Sequence, residues 1–330
     1  MSVPYQEADL SRLKTVPIAS RRNRVDPSLF ARAPGPERSF GAFLDSLPDV
    51  LGARDLRAVV RGVVSAAESG KGVVLLVGGH VIKVGLGPLV NAWLERGIVS
   101  HVALNGAAAI HDFELAAFGG TSEEVESGLA EGTFGMTEET GAEMNAAITA
   151  AAAAGWGMGE GLAQSLSART GLPGAESSVL LGALRHRVPV TVHTAIGAEI
   201  THQHPSASGA AIGDTSHRDF RRLAASLPAI DRGGVVMNWG SAVVLPEVFL
   251  KALTIARNLE SGRPTRFLAA DFDMQRHYRP RVNVVQRPTR EGGSGYLLTG
   301  QHEVLLPLLI WGVLDTLDRA QAETGEDRDP

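Results

Sequence analysis

Between Val73 and Glu114 the chain reads VVLLVGGHVIKVGLGPLVNAWLERGIVSHVALNGAAAIHDFE. GVVLLVGG (72–79) is a short apolar run ended by glycines, which suits a strand covered on both faces in a parallel sheet. LVNAWLERG (89–97) is helical and stops at a glycine. SHVALNG (100–106) is a second strand, and it feeds a helix around IHDFELAAF. One βα unit follows another, so the predicted fold is α/β, a Rossmann-like parallel sheet with helices on both faces.

The rhythm continues outward. VPVTVHTAI (188–196), GGVVMNWGS (233–241) and TRFLAADFD (266–273) read as further strands, with a helix at LPEVFLKALTIARNLE (245–260). RPRVNVVQRP and SGYLLTG have strand-like apolar spacing, and VLLPLLIWGVLDTLDRA is a closing helix. Residues 137–185 are alanine-rich and predicted helical, since alanine is the best helix former and packs closely. Upstream, a helical segment near 43–67 follows a basic, proline-interrupted arm over residues 1–40. Residues 41–322 are expected to form one domain, and ETGEDRDP (323–330) an acidic, frayed tail.

Composition narrows the function. A chain of 330 residues with 44% hydrophobic content can fill a sizeable core. The formal charge of −5 and pI near 6.1 argue against a nucleic-acid surface. Zero cysteines exclude a thiol nucleophile and any disulfide, and no apolar run resembles a signal peptide or a membrane span. A cytoplasmic protein without a membrane partner is expected.

In open parallel sheets, ligands bind at the carboxyl ends of the strands. The strand-end residues Gly78, Gly79, His80, Asn105, Gly106, Asn238, Gly240, Ser241, Asp271 and Asp273 are therefore the expected cofactor-binding set, with Gly197 and Glu199 after the third strand. The usual G-x-G-x-x-G fingerprint is absent, and GWGMGEG (155–161) follows a helix, the wrong context. No phosphate-cradling P-loop or G-x-S-x-G elbow occurs either. The stretch Thr201–Phe220, THQHPSASGAAIGDTSHRDF, reads as a polar loop dense in titratable groups. With His193 before it, this loop supplies His204, Asp214 and His217 as catalytic candidates, joined by His277 after a later strand. His202 and His204, two apart, share a face on an extended chain and form an alternative metal pair. His111, Asp112 and Glu114 start a helix, where carboxylates complement the helix dipole, and His302 stands alone.

The quoted stretch from Val73 to Glu114 resembles the deoxyhypusine synthase family. Asn105 to Ala109 with His111 and Asp112 stand where that family has a glycine turn and two acidic residues; GVVMNWGSAVV, AADFDM and the YRP and VLLPLL segments match further portions in order. The resemblance implies a Rossmann-like sheet lacking the usual fingerprint, bound NAD, and a homotetramer with active sites at subunit interfaces. Two departures restrict the chemistry. The family's imine-forming lysine has no counterpart in VNVVQRPT, and Lys251 is the only lysine after Lys83; its histidine pair is replaced by Pro246 and Glu247. Arginine does not form Schiff bases. The expected activity is accordingly NAD-dependent oxidation, or oxidation-coupled group transfer, on a small polar amine or polyol, rather than deoxyhypusine synthesis. The alternatives are a divalent-metal enzyme using His202 and His204, and a non-catalytic nucleotide-binding sensor.

Overall fold

A computed structural model describes residues 5–326, with side chains through Ala322. Six strands, β1 (Val73–Val77), β2 (His101–Asn105), β3 (Val190–His193), β4 (Val235–Trp239), β5 (Leu268–Asp273) and β6 (Ser294–Thr299), form one sheet in the order β3-β2-β1-β4-β5-β6. Every pairing is parallel, so this is a doubly wound sheet whose chain direction across the sheet reverses between β1 and β4.

Alternation along the strands feeds two apolar layers. Val73, Leu75 and Val77 of β1 point into one, Val74 and Leu76 into the other, and all five are fully buried. The first layer is covered by α1 (Phe40–Ser46), α2 (Leu51–Glu68), α3 (Gly79–Lys83), α4 (Gly87–Glu95), α5 (Gly106–Phe118), α7 (Glu138–Ala154), α8 (Met158–Ser167), α9 (Val179–Arg185) and α12 (His302–Glu326). The second is covered by α10 (Gly209–Ser226) and α11 (Val244–Leu259). A short helix α6 (Val125–Glu131) lies between α5 and α7 and contributes to neither layer.

Three local expectations are corrected. Thr201–Phe220 is not a loop: a 3-10 turn at Ile200–Gln203 precedes α10, which Ser208 caps by accepting the Ala211 N–H at 3.3 Å. Helical spacing of the buried residues Ala211, Ile212, Thr215, Asp219 and Leu223 outweighs the glycines that suggested a loop. Residues 280–286 form a π-helical segment rather than a strand, because β6 already occupies the free side of β5 and Val282, Asn283, Val284 and Val285 all become buried in the wide turn. Residues 323–326 of the expected tail continue α12, while 327–330, like residues 1–4 of the arm, lie outside the described residues. The rest of the arm, 5–39, holds three single 3-10 turns. It touches the body through Asp49 N–H to the Leu29 carbonyl and Arg32 N–H to the Ser46 carbonyl, both 2.9 Å.

Candidate active site

Helix α5 starts at the carboxyl end of β2 because Asn105 Oδ1 accepts the Ala108 N–H at 2.9 Å. From there Ala107, Ile110, His111, Glu114 and Phe118 recur at helical spacing along one stripe, and that stripe walls a cavity of about 720 Å³. Lys83 of α3, the segments after α5 and before α7, and Ala198 to Ile200 close the other sides. Such a volume is in the range of small-molecule sites.

Inside it, four side chains form a chain. The Thr140 hydroxyl donates to Glu114 Oε1 at 2.8 Å, the Thr121 hydroxyl donates to Glu114 Oε2 at 2.5 Å, and Thr121 Oγ1 lies 2.7 Å from His111 Nδ1. A carboxylate only accepts, so the Thr121 proton is committed to Glu114 and Nδ1 must carry the imidazole hydrogen. Nε2 is left as the basic nitrogen. Burial holds His111 below the usual histidine range; Glu114 opposes this, while Lys83 and His80 add to it. The ring is therefore neutral and ready to accept a proton near pH 7. Glu199 packs against the first turn of α5 so closely that a Cβ on Gly106 would sit 2.2 Å from its Oε1. Burial raises its pKa, against the Ala195 N–H that donates to Oε1 at 3.1 Å. Glu199 Oε2 is 3.1 Å from His202 Nδ1, but that nitrogen already accepts the Gly197 N–H, so the carboxyl oxygen has no donor.

The turns after β1 and β4 meet next to this cavity. Gly78 donates its N–H to the Trp239 carbonyl at 2.8 Å, and a Cβ on Gly78 would fall 2.3 Å from the Gly240 carbonyl oxygen. Gly240 itself is at φ 71°, against the His302 ring. Asn238 Nδ2 donates to Asp271 Oδ1 at 2.8 Å and to the Ser241 carbonyl at 3.1 Å. Burial pushes Asp271 up to about 7, with Asn238 opposing and Asp273 adding. Around the end of β4, Asn238 Oδ1, Trp239 Nε1 and His302 Nδ1 are buried without a partner. His302 Nε2 is 3.1 Å from the Phe272 carbonyl, the His80 ring lies 5.5 Å away, and Asp273 reaches His277 at 3.9 Å. The strand-end set Gly78, Gly79, His80, Asn238, Gly240, Ser241, Asp271 and Asp273 thus surrounds the reversal point, with Asn105 and Gly106 one strand over.

The polar segment disperses instead. His193 belongs to a buried chain in which Ser226 Oγ, His101 and Thr191 follow at 2.8, 2.9 and 3.0 Å. Burial lowers both His101 and His193 to about 3, so both rings are neutral. His204 Nδ1 pairs with Ser206, Asp214 with Arg218, and the His217 ring lies beside Phe220. None of these four candidates lines the cavity. His202 turns to Glu199 and Gly197, so the two histidines of the metal alternative face different partners; among the described residues no group of three or more His, Asp and Glu side chains is gathered for a metal. Asp112 is structural: it accepts the Ser178 hydroxyl and the Val179 and Leu180 N–H groups at the start of α9, and burial raises it to about 6. The sequence reading took His111 and Glu114 only as part of a helix start, and it missed Lys83, Thr121 and Thr140. The α5 stripe carried the signal for His111 and Glu114, whereas the threonines are brought in from other segments.

No family model matches the sequence, and no curated protein matches it. Solved structures do share the fold. A deoxyhypusine synthase candidate from Entamoeba histolytica is 10% identical, with 84% of this chain and 94% of that one covered and a TM-score of 0.51. AgrE, in a ternary complex with ornithine and NAD+, is 15% identical over 82% of this chain at a TM-score of 0.50, and the chain spans only 34% of it. A conserved LOR/SDH candidate protein from Methanococcus maripaludis S2 is 15% identical over 81% of this chain and 71% of that one, at a TM-score of 0.48. At these identities the likeness of the first two defines the class of fold, a doubly wound parallel sheet, and nothing finer. Among the described residues no helix is long and apolar enough to cross a membrane.

Proposed function

We propose that the protein is an NAD-dependent enzyme that oxidises a small polar amine, with or without transfer of the oxidised group, and that it works as a homotetramer. The observation that carries the reading is His111: a neutral imidazole in a cavity at the sheet's carboxyl end, its Nδ1 tied through Thr121 to Glu114 and its Nε2 unpaired. The dinucleotide fits the chain's own groups, because the unpartnered Asn238 Oδ1 and His302 Nδ1 lie beside the glycine turn at the end of β4. When bound, NAD would supply the hydride acceptor. His111 Nε2 takes the proton from the substrate nitrogen as the adjacent carbon loses hydride. Thr121 and Glu114 hold the ring in the required tautomer and stabilise the imidazolium that forms. Amine is favoured over polyol because the cavity presents Glu114, Glu123, Glu139 and Glu199 against Lys83 alone. That AgrE was solved with ornithine and NAD+ on the same fold supports both halves of the reading. The proton-transfer role expected of His204 and His217 passes to His111, since neither lines the cavity.

The test uses protein freed of nucleotide. Calorimetry with NAD+ and NADP+ should show binding, and absorbance at the reduced nicotinamide band should rise with members of a panel of primary amines. His111→Gln should keep cofactor affinity and lower the rate by about 10²-fold or more. Absence of binding by any nicotinamide cofactor, or a full rate in His111→Gln, overturns the proposal.

A further inference from the structure

At the opposite end of the sheet, the start of β3 opens onto a second cavity of about 510 Å³. Ala163 of α8, Ala183 and Leu184 of α9, Val188, Pro189 and Val190 at the start of β3, and Ala225 of α10 make most of its wall, so its body is apolar. Glu160, Arg187, Arg222 and Ser226 are its polar residues. Three of them are already engaged. Arg222 Nη1 pairs with Glu160 Oε2 at 2.7 Å, and Ser226 gives its proton to the Arg222 carbonyl at 3.1 Å while its oxygen meets His101 Nδ1 at 2.8 Å. Arg187 differs, since its guanidinium has no hydrogen bond or ion pair among the described residues. Its backbone, at φ 57°, makes the left-handed turn that ends α9, where the Val188 N–H reaches the Ala183 carbonyl at 2.9 Å.

We propose that this cavity is a second ligand site, taking a monocarboxylic acid with a short branched or aromatic apolar body. The apolar wall receives the body, and Arg187 receives the carboxylate through paired N–H donors in the plane of its guanidinium. The charge count selects a monoanion: Arg187 and Arg222 against Glu160 leave one positive charge, and the Glu160 carboxylate disfavours a dianion. The site stands apart from the His111 cavity, with no lining residue in common.

The test is calorimetry on the full chain with 3-methylbutanoate and benzoate, their neutral amides, and inorganic phosphate. The acids should bind at least about tenfold more tightly than the amides, as expected for one charge-assisted hydrogen-bonded pair, and phosphate should not compete. Arg187→Gly removes the guanidinium and relieves the backbone, so acid binding should fall by at least about tenfold while the melting temperature holds or rises. Ala225→Phe, filling the cavity from an exposed helix position, should block acids and amides alike. His111→Gln should bind the acids as the unaltered protein does. Equal binding of acids and amides, no binding of either acid, or wild-type affinity in Arg187→Gly overturns the proposal.

Discussion

Asp219 shows how burial at one residue becomes a property of the molecule. Its Oδ2 accepts the Gly159 and Val192 N–H groups, both at 2.8 Å, joining the start of α8 to β3, whereas Oδ1 has no hydrogen bond and faces Arg222 Nη1 at 3.8 Å. Burial pushes its pKa up from 3.8 to about 7, against those N–H bonds and Arg222. Below about pH 4 both folded and unfolded chains hold the proton. Between there and about pH 7 only the folded chain does, so this residue's contribution to stability falls as pH rises and is gone above the folded pKa. The substitution Asp219→Asn keeps an acceptor for both N–H groups and leaves no proton to lose. The melting temperature of Asp219→Asn relative to the parent should therefore climb by a few degrees from about pH 4 to about pH 8. Calorimetry across that range checks it, and parallel curves would refute it; the opposite slope of the neutral His101 and His193 is common to both proteins and cancels. Gly240 makes a second case. Its place at a strand end was legible, but the reason a glycine must stand there was not. A Cβ there would stand 2.9 Å from the His302 ring on a backbone at φ 71°. Gly240→Ala should lower the melting temperature even without cofactor, by about 1 kcal/mol or more of stability, rather than acting on ligand affinity alone.

At the level of elements, the strands were legible because both faces are buried. Uninterrupted runs such as VVLLV and the glycines after them have no other comfortable place in a fold of this size. The helix α10 was not, since Gly209, Gly213, Ser208 and the histidines carry loop chemistry locally while the buried stripe from Ala211 to Leu223 is satisfied only by tertiary packing. The same distinction explains the site. Asn105 and Gly106 could be placed at a strand end, but Thr121 and Thr140 reach Glu114 from different segments, a meeting that no local pattern encodes. The α5 start carries a direct test. Asn105→Ala removes the cap on the Ala108 N–H and should cost about 1 kcal/mol of stability, measured by denaturant titration. Because the same turn sets the position of His111, amine oxidation should fall by more than that loss of folded protein accounts for. Unchanged turnover per folded molecule would separate the cap from the site.

For the whole molecule, the strand order was beyond reach of local reading, because parallel neighbours such as β1 and β4 are separated by more than 150 residues and are paired by the packing of both helical layers. What the sequence did expose is the arm. Tyr5, Leu10, Leu13, Val16, Ile18, Val25 and Phe30 are all at least 57% exposed, along a segment with little cover from its own body. Phe43 of α1 and Trp311 of α12, both joined to Phe40 by ring contacts of 5.9 and 6.1 Å, continue the apolar surface where the arm ends. A solitary chain would leave that surface in water at a cost of about 25 cal/mol per Å², and a second copy offers equivalent apolar surface under the symmetry of a closed oligomer. On the proposed homotetramer, light scattering at micromolar concentration should give a mass about four times the 34.7 kDa of the chain. Leu13→Asp combined with Ile18→Asp places two charges on the arm without touching the sheet, so it should lower that mass while leaving the far-ultraviolet circular dichroism as it was. A particle of 34.7 kDa from the unaltered protein would overturn the homotetramer.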